Sequence, residues 1–391
     1  MFLNSLLMNK SSKNWKIRRD AIVKYMGLSR ASSYIPTMID STLDLIDKWK
    51  DGEKYTLISE FNKITFRIIT IILFGKDVNE KIGEIEYIEA DGSINKLDFA
   101  GYFIKLCKTL MQNSFSFRSL AFPFFLDRDF TKPYSTDKKN ILNLHTHLKK
   151  YLKESDDEES VYYKLINIED IKEQEAYEDV VSFLFAGHET SSHSISSALY
   201  FMAKFPKTQE KLRSELLEFR GKSASELKSA LTKNKIGELD YLYMVFKESL
   251  RYDPPANESL PYVCIKDCEI LGVPIYTGQE MSLNLLTRHM DPEEWKDPLK
   301  FIPERFDENS EFYYVPKREK KRHTTSYIPF NRGIRNCPGQ VLATLEIKVL
   351  LVCFLSQVEY QVDQELLDND YVNFNLVSTF EGEFVPKKLR Q

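Results

Sequence analysis

Five cysteines in 391 residues, at 107, 264, 268, 337 and 353, are too few and too scattered for a disulfide framework. Cys264 and Cys268 stand four apart with no second ligand pair nearby, so they read as ordinary thiols and not as a structural zinc site. The formal charge is −4 and no long basic block is present, which argues against nucleic-acid binding. No run reaches the roughly 18 to 20 consecutive apolar residues that would span a bilayer, so no transmembrane segment is expected in this chain. Ile64 to Phe74 is apolar but short, and reads as a core helix. Met1 to Asn9 lack the charged start and the cleavage site of a signal peptide. Internal repeats and low-complexity linkers are absent too. The 42% hydrophobic content is enough for a large buried core, and length alone suggests two or more domains.

Apolar periodicity predicts helices over Ser41 to Lys50, Ser59 to Leu73, Lys138 to Leu152, Asp170 to Lys204, Lys207 to Phe219, Leu239 to Arg251 and Val341 to Leu355. Short β signals cluster late. Val263 to Ile265, Glu269-Ile270 and Val273 to Ile275 predict a small hairpin region around Leu271-Gly272, and Val372 to Thr379 with Glu383 to Val385 predict a last hairpin. Glu154 to Glu159 reads as a solvated acidic loop, and Lys317 to Arg322 is a basic run.

One cysteine has an unusual setting. Phe330-Asn331-Arg332-Gly333-Ile334-Arg335-Asn336-Cys337-Pro338-Gly339 places it in a loop rich in glycine and arginine, directly before a helix. Nearby positive charge and a helix N-terminus both favour the thiolate. Glycines let such a loop approach a flat partner closely. A thiolate presented this way is suited to holding haem iron through sulfur.

Three further patterns accompany it. Ala186-Gly187-His188-Glu189-Thr190 lies inside the long predicted helix, where Gly187 is expected to leave room for a small molecule beside the backbone. His188 and His193 mimic a zinc-protease helix, but their spacing is i+5 where that chemistry needs i+4, so the zinc reading fails. Glu248 and Arg251 are three apart on one helix, and Arg305 follows in Pro303-Glu304-Arg305-Phe306. Trp15 and Arg19, four apart, share a helix face near the start.

Together these motifs resemble the cytochrome P450 family of haem-thiolate monooxygenases. The loop fits its Phe-x-x-Gly-x-Arg-x-Cys-x-Gly pattern, and Ala343 and Glu346 continue the likeness. Asn331 departs from the family's usual Gly or Ser. The resemblance implies a mainly α fold with a small β region (α+β), built as a single domain over 1–391, with haem b (iron protoporphyrin IX) as cofactor and Cys337 as its axial metal ligand. It further implies Arg335, Trp15 and Arg19 as propionate contacts, Phe330 packing near the ligating sulfur, Gly333 letting the loop approach the cofactor closely, and Thr190 and Glu189 delivering protons to dioxygen. Glu248, Arg251 and Arg305 would form a buried ion network bracing the cysteine loop. Where the family often has another propionate arginine this chain has Tyr262, and His289 is expected to substitute.

The implied activity is insertion of one oxygen atom from O2 into an apolar substrate. Electrons would come from an NAD(P)H-dependent reductase or a ferredoxin, and the basic run could steer an acidic reductase domain. By position, Phe183, Phe185, Ala256 to Leu260 and Leu376 to Phe380 are candidate substrate walls. The family also implies the cytosolic face of the endoplasmic reticulum membrane. About a hundred residues normally precede the Trp-x-x-x-Arg helix in the family, so the chain reads as an N-terminally truncated form. A sheet without its first strands is expected to show an unpaired edge. Two alternatives stand: a truncated haem-binding protein without turnover, and a P450-type isomerase or dehydratase.

Overall fold

A computed structural model describes residues 4–76, 78–114, 132–316, 320–364, 367 and 382–389. Val372 to Thr379, Leu376 to Phe380 and the 317–319 part of the basic run lie outside the described residues. The fold is mainly helical with small sheets, as the sequence implies. By internal contacts the chain divides into two compact units, residues 1–25 with 62–188 and residues 26–61 with 189–391. One boundary falls between His188 and Glu189, inside the helix Glu173–Lys204.

The first unit is helical around an aromatic core. The helices include Lys13–Tyr25, Phe99–Ser114, Lys132–Glu154 and the first half of Glu173–Lys204. Phe66, Phe99 and Phe103 pack with one another, and the His188 ring meets Phe66 and Phe103 edge-on. A hairpin of Glu84–Ile88 and Ile94–Asp98 was not expected from periodicity, though Asp91-Gly92 is a strong hairpin-turn signal. Asn140 finishes the hairpin's edge: its amide oxygen accepts from Ile88 N at 3.0 Å and its amide nitrogen donates to Ile88 O at 2.9 Å. Arg18 is buried and forks onto Asp179, at 2.8 and 2.6 Å, while Leu6 N donates to the same carboxylate at 2.7 Å. Burial pushes the Asp179 pKa up, against the pull of Arg18.

The second unit is organised on the helix Gln340–Gln357, buried from Leu345 to Gln357. It is long and apolar enough to cross a membrane, but 78% of it is buried inside the protein, as suits a core helix. The helix Ile35–Lys48 lies along it. Trp49, Phe61, Phe354 and Phe384 form an edge-on aromatic cluster, and the Trp49 indole donates to Glu60 at 2.8 Å. A three-stranded antiparallel sheet closes this side, with Glu383–Lys388 between Tyr55–Thr56 and Val358–Val362.

The smaller β elements differ from expectation in one pairing. Cys268–Ile270 and Val273–Ile275 form the expected hairpin around Leu271-Gly272. Tyr262–Val263 pairs instead with Glu280–Met281. Both are two-stranded sheets, so each strand keeps one edge unpaired among the described residues.

Candidate active site

The cysteine loop is held by its own backbone. Cys337 N donates to Phe330 O at 2.9 Å, Asn336 N to Gly333 O at 3.1 Å and Asn331 N to Ile328 O at 2.9 Å. Two residues take positive φ: Gly333 at 81° and Asn331 at 59°. Asparagine is among the few residues with a side chain that visit this region readily, which explains how it is accommodated at this position. Its amide also donates to the Tyr262 hydroxyl at 2.8 Å, fastening the loop to the strand Tyr262–Val263. Cys337 is half-buried, in contrast to Cys107, Cys264 and Cys353, which are buried. The helix Gln340–Gln357 begins three residues later, with Gly339 as N-cap. A Cβ on Gly339 would sit 3.8 Å from the Cys337 sulfur, an ordinary van der Waals contact. Phe330 and Arg335 are half-buried in the same loop.

Behind the loop lies the ion network. Glu248, Arg251 and Arg305 are fully buried. Arg251 forks onto Glu248 with two bonds of 2.8 Å, and Arg305 Nε donates to Glu248 Oε1 at 3.1 Å. Ile302 N adds a fourth bond to Glu248, at 2.7 Å. The arginines use their remaining protons on the carbonyls of His289, Lys296, Asp297, Pro298 and Lys300. The network therefore shapes the whole turn from 296 to 302 as well as pairing charges.

His289 connects this network to the cysteine loop. Its carbonyl accepts from Arg251, its Nε2 accepts from Ile328 N at 3.0 Å, and Ile328 O holds Asn331. Burial, with Arg251 adding to it, pushes the ring's pKa down to about 3. With Nε2 accepting, the neutral ring carries its proton on Nδ1, which has no hydrogen-bond partner among the described residues.

Glu189 and Thr190 are half-buried, and everything from Ser191 to Met202 is buried. Ser191 donates to Glu346 Oε2 at 2.8 Å. Burial raises the Glu346 pKa to about 8. Gly187 departs from expectation: a Cβ there would meet Ile69 Cγ1 at 2.9 Å, so the missing side chain admits Ile69 and not a small ligand.

Trp15 and Arg19 belong to the first unit. The Trp15 indole donates to Leu6 O at 3.0 Å, and the Arg19 guanidinium lies over the indole at 5.5 Å. In the basic run, Arg322 is drawn inward onto Phe312 O, Arg305 O and the Trp295 ring, while Lys321 pairs with Glu308 at the surface. The described part of the run is therefore not one continuous solvated patch.

Sequence reasoning did not find the Tyr262–Asn331 bond or the use of His289. Both depend on distant segments meeting, and only the separate oddities of Asn331 and Tyr262 were visible beforehand.

Comparisons with known proteins agree on kind. The family model described as "Cytochrome P450" matches residues 1–379. Cytochrome P450 4V2 of Mus musculus is 33% identical over 198 residues, 50% of this chain and 35% of that protein. The matched part thus spans about a third of the length of the first curated relatives. Cytochrome P450 4Z1 of Homo sapiens is 26% identical over 377 residues, 91% of this chain and 70% of that protein. Among solved structures, a retinoic acid-bound cyanobacterial CYP120A1 superimposes with a TM-score of 0.76 at 20% identity, covering 99% of this chain and 81% of that one. The cytochrome P450DA heme domain gives 0.78 at 18% identity, covering 98% and 80%.

Proposed function

Starting from the fact that this chain belongs to the cytochrome P450 family, we propose that it is a haem-thiolate monooxygenase acting on an apolar small molecule. Cys337 holds haem b, and electrons come from an NAD(P)H-dependent reductase or a ferredoxin. The observation that carries this reading is the Cys337 loop itself: a half-buried thiol at a helix start, fixed by three backbone bonds and linked through His289 to a buried Glu248–Arg251–Arg305 network.

The residues present fit a haem. The Cys337 thiol is half-buried and stands just before the start of a helix. Arg335, in the same loop, is suited to a propionate by its planar fork. The bound haem would supply the redox centre at which dioxygen is activated.

The chain's own residues do the rest. The backbone bonds around Cys337 fix the direction of its sulfur, and the network keeps the supporting turn from moving. Thr190 and Glu189 are proposed to hold and pass protons, an alcohol and an acid placed side by side on a helix for that task. Phe185 and residues 256–260 are proposed substrate walls. Trp15 and Arg19 are proposed propionate contacts. By the family resemblance, the cytosolic face of the endoplasmic reticulum membrane is the proposed location.

The test is a spectrum. The expressed chain is reduced with dithionite and exposed to carbon monoxide. A thiolate-type Soret band, lost in Cys337→Ala, supports the reading. Absence of haem, or a band typical of histidine or neutral thiol, overturns it. NAD(P)H consumption coupled to oxygenated product, with a reductase and a lipophilic substrate, then separates turnover from haem binding alone.

A further inference from the structure

The long helix carries more polar side chains than the proposed chemistry uses. Glu189, Thr190, His193, Ser196 and Ser197 recur at spacings of three and four residues and share one side of the helix. The first two are half-buried and the last three are buried. His193 Nε2 lies 3.0 Å from Asp253 Oδ2, at the end of the helix Asp240–Tyr252. That separation is an ion contact, yet neither ring nitrogen has a well-aligned hydrogen bond among the described residues. The Ser196 and Ser197 hydroxyls also lack partners there.

Other serines on this helix behave differently. Ser182, Ser192 and Ser194 donate to the carbonyls of Asp179, Glu189 and Thr190, three or four residues back. Ser196 and Ser197 do not use this local option. Two hydroxyls and the second imidazole nitrogen, Nδ1, thus gather on one buried face beside the His193–Asp253 contact. Left dry, each such atom is costly, and unsatisfied buried polar atoms in native proteins commonly mark ordered water.

We propose that His193, Ser196, Ser197 and Asp253 form an internal water-binding site whose water supplies protons to Thr190 and Glu189. The water site stands on the geometry alone, while the proton supply rests on the function proposed above. Side chains three or four apart on a helix have Cβ atoms about 5–6 Å from each other, a span that one water bridges. A buried water makes about three hydrogen bonds, so these atoms suit roughly one or two waters. Asp253 orients the imidazole as a carboxylate does in a metal-ligand or catalytic pair. The transfer is a proton exchange with no electron moved. Thr190 passes on its hydroxyl proton and takes one from the bound water, and bulk water restores that proton.

Three readouts on the haem-loaded chain test this. A high-resolution crystal structure should show ordered water within hydrogen-bond distance of His193 and Ser197. Ser197→Ala should lower the unfolding midpoint, because it takes a partner from bound water, and unchanged or raised stability with empty density overturns the site. His193→Phe should raise the peroxide released per NAD(P)H consumed while keeping the thiolate-type band, and His193→Gln should restore the coupling in part. Unchanged peroxide yield in His193→Phe overturns the proton supply. If the unmodified chain shows no thiolate-type band, the function fails, whereas the crystal density and the Ser197→Ala midpoint still judge the water site.

Discussion

Ser191 gives its hydroxyl proton to Glu346 Oε2 at 2.8 Å, joining the helix that carries Thr190 to the helix that follows Cys337. The other carboxyl oxygen, Oε1, has no hydrogen-bond partner among the described residues. An ionised carboxylate with a single neutral donor is poorly compensated in a buried site. Burial accordingly holds the pKa at about 8, up from the ordinary 4.5. The folded state therefore keeps a proton that the unfolded chain loses.

The pH dependence follows from the sign of that shift. Below about 4.5 both states are protonated and Glu346 contributes no slope. Between there and about 8, the unfolded chain ionises while the folded chain does not, so stability falls as pH rises. The slope is about 1.4 kcal/mol per pH unit for one proton. Glu346→Gln should remove this slope while keeping an acceptor for Ser191. Urea unfolding of the two proteins at pH 6 to 8 checks it, and parallel pH profiles would rule the account out.

The Glu248 network gives a second prediction. Its members are fully buried, so removing one leaves the others charged and uncompensated. Glu248→Gln should cost about 3–5 kcal/mol. Arg305→Lys should also be costly, since one ammonium cannot reach Glu248 and the carbonyls of Lys296, Asp297 and Lys300 together. The measurements are denaturant unfolding and haem retained per chain. Normal stability in Arg305→Lys would show that charge alone matters.

The network illustrates what was legible in advance. Glu248, Arg251 and Arg305 could be assigned to one cluster only through the family resemblance their motifs carry, because the i+3 spacing joins the first two and nothing local joins Arg305 to them. The long helix and the helix after Cys337 were legible from local signals: their apolar patterns are long. The bond from Ile328 N to the His289 ring was not legible because the two are 39 residues apart. Gly187 was misread because a helical glycine does not reveal whether a ligand or a side chain fills its open face. The hairpin Glu84–Ile88 with Ile94–Asp98 escaped because its second strand is largely exposed and shows no alternation of burial.

Asn331 gives a third prediction, on local conformation. Its φ of 59° and its bond to Tyr262 both depend on the side chain. Asn331→Gly keeps the conformation and loses the bond, so it should cost about 1 kcal/mol. Asn331→Val loses the bond and adds strain of about 1–2 kcal/mol. Tyr262→Phe should match Asn331→Gly, and the double variant should cost little more than either alone. Additive losses in that cycle would show that the two side chains act separately.

Gly187 gives the last. In most helices, changing glycine to alanine stabilises by about 1 kcal/mol. Here the new methyl would lie 2.9 Å from Ile69 Cγ1 and 3.1 Å from Cδ1. Overpacking of this kind typically costs about 1–3 kcal/mol, so the clash should outweigh the propensity gain and Gly187→Ala should lower the unfolding midpoint. In an Ile69→Ala background the obstruction is gone, and the same substitution should become neutral or stabilising. A double-mutant cycle measured by thermal unfolding reads this directly. If Gly187→Ala stabilises the unmodified chain, Ile69 yields without cost, and close packing against Ile69 is not what requires glycine at this position.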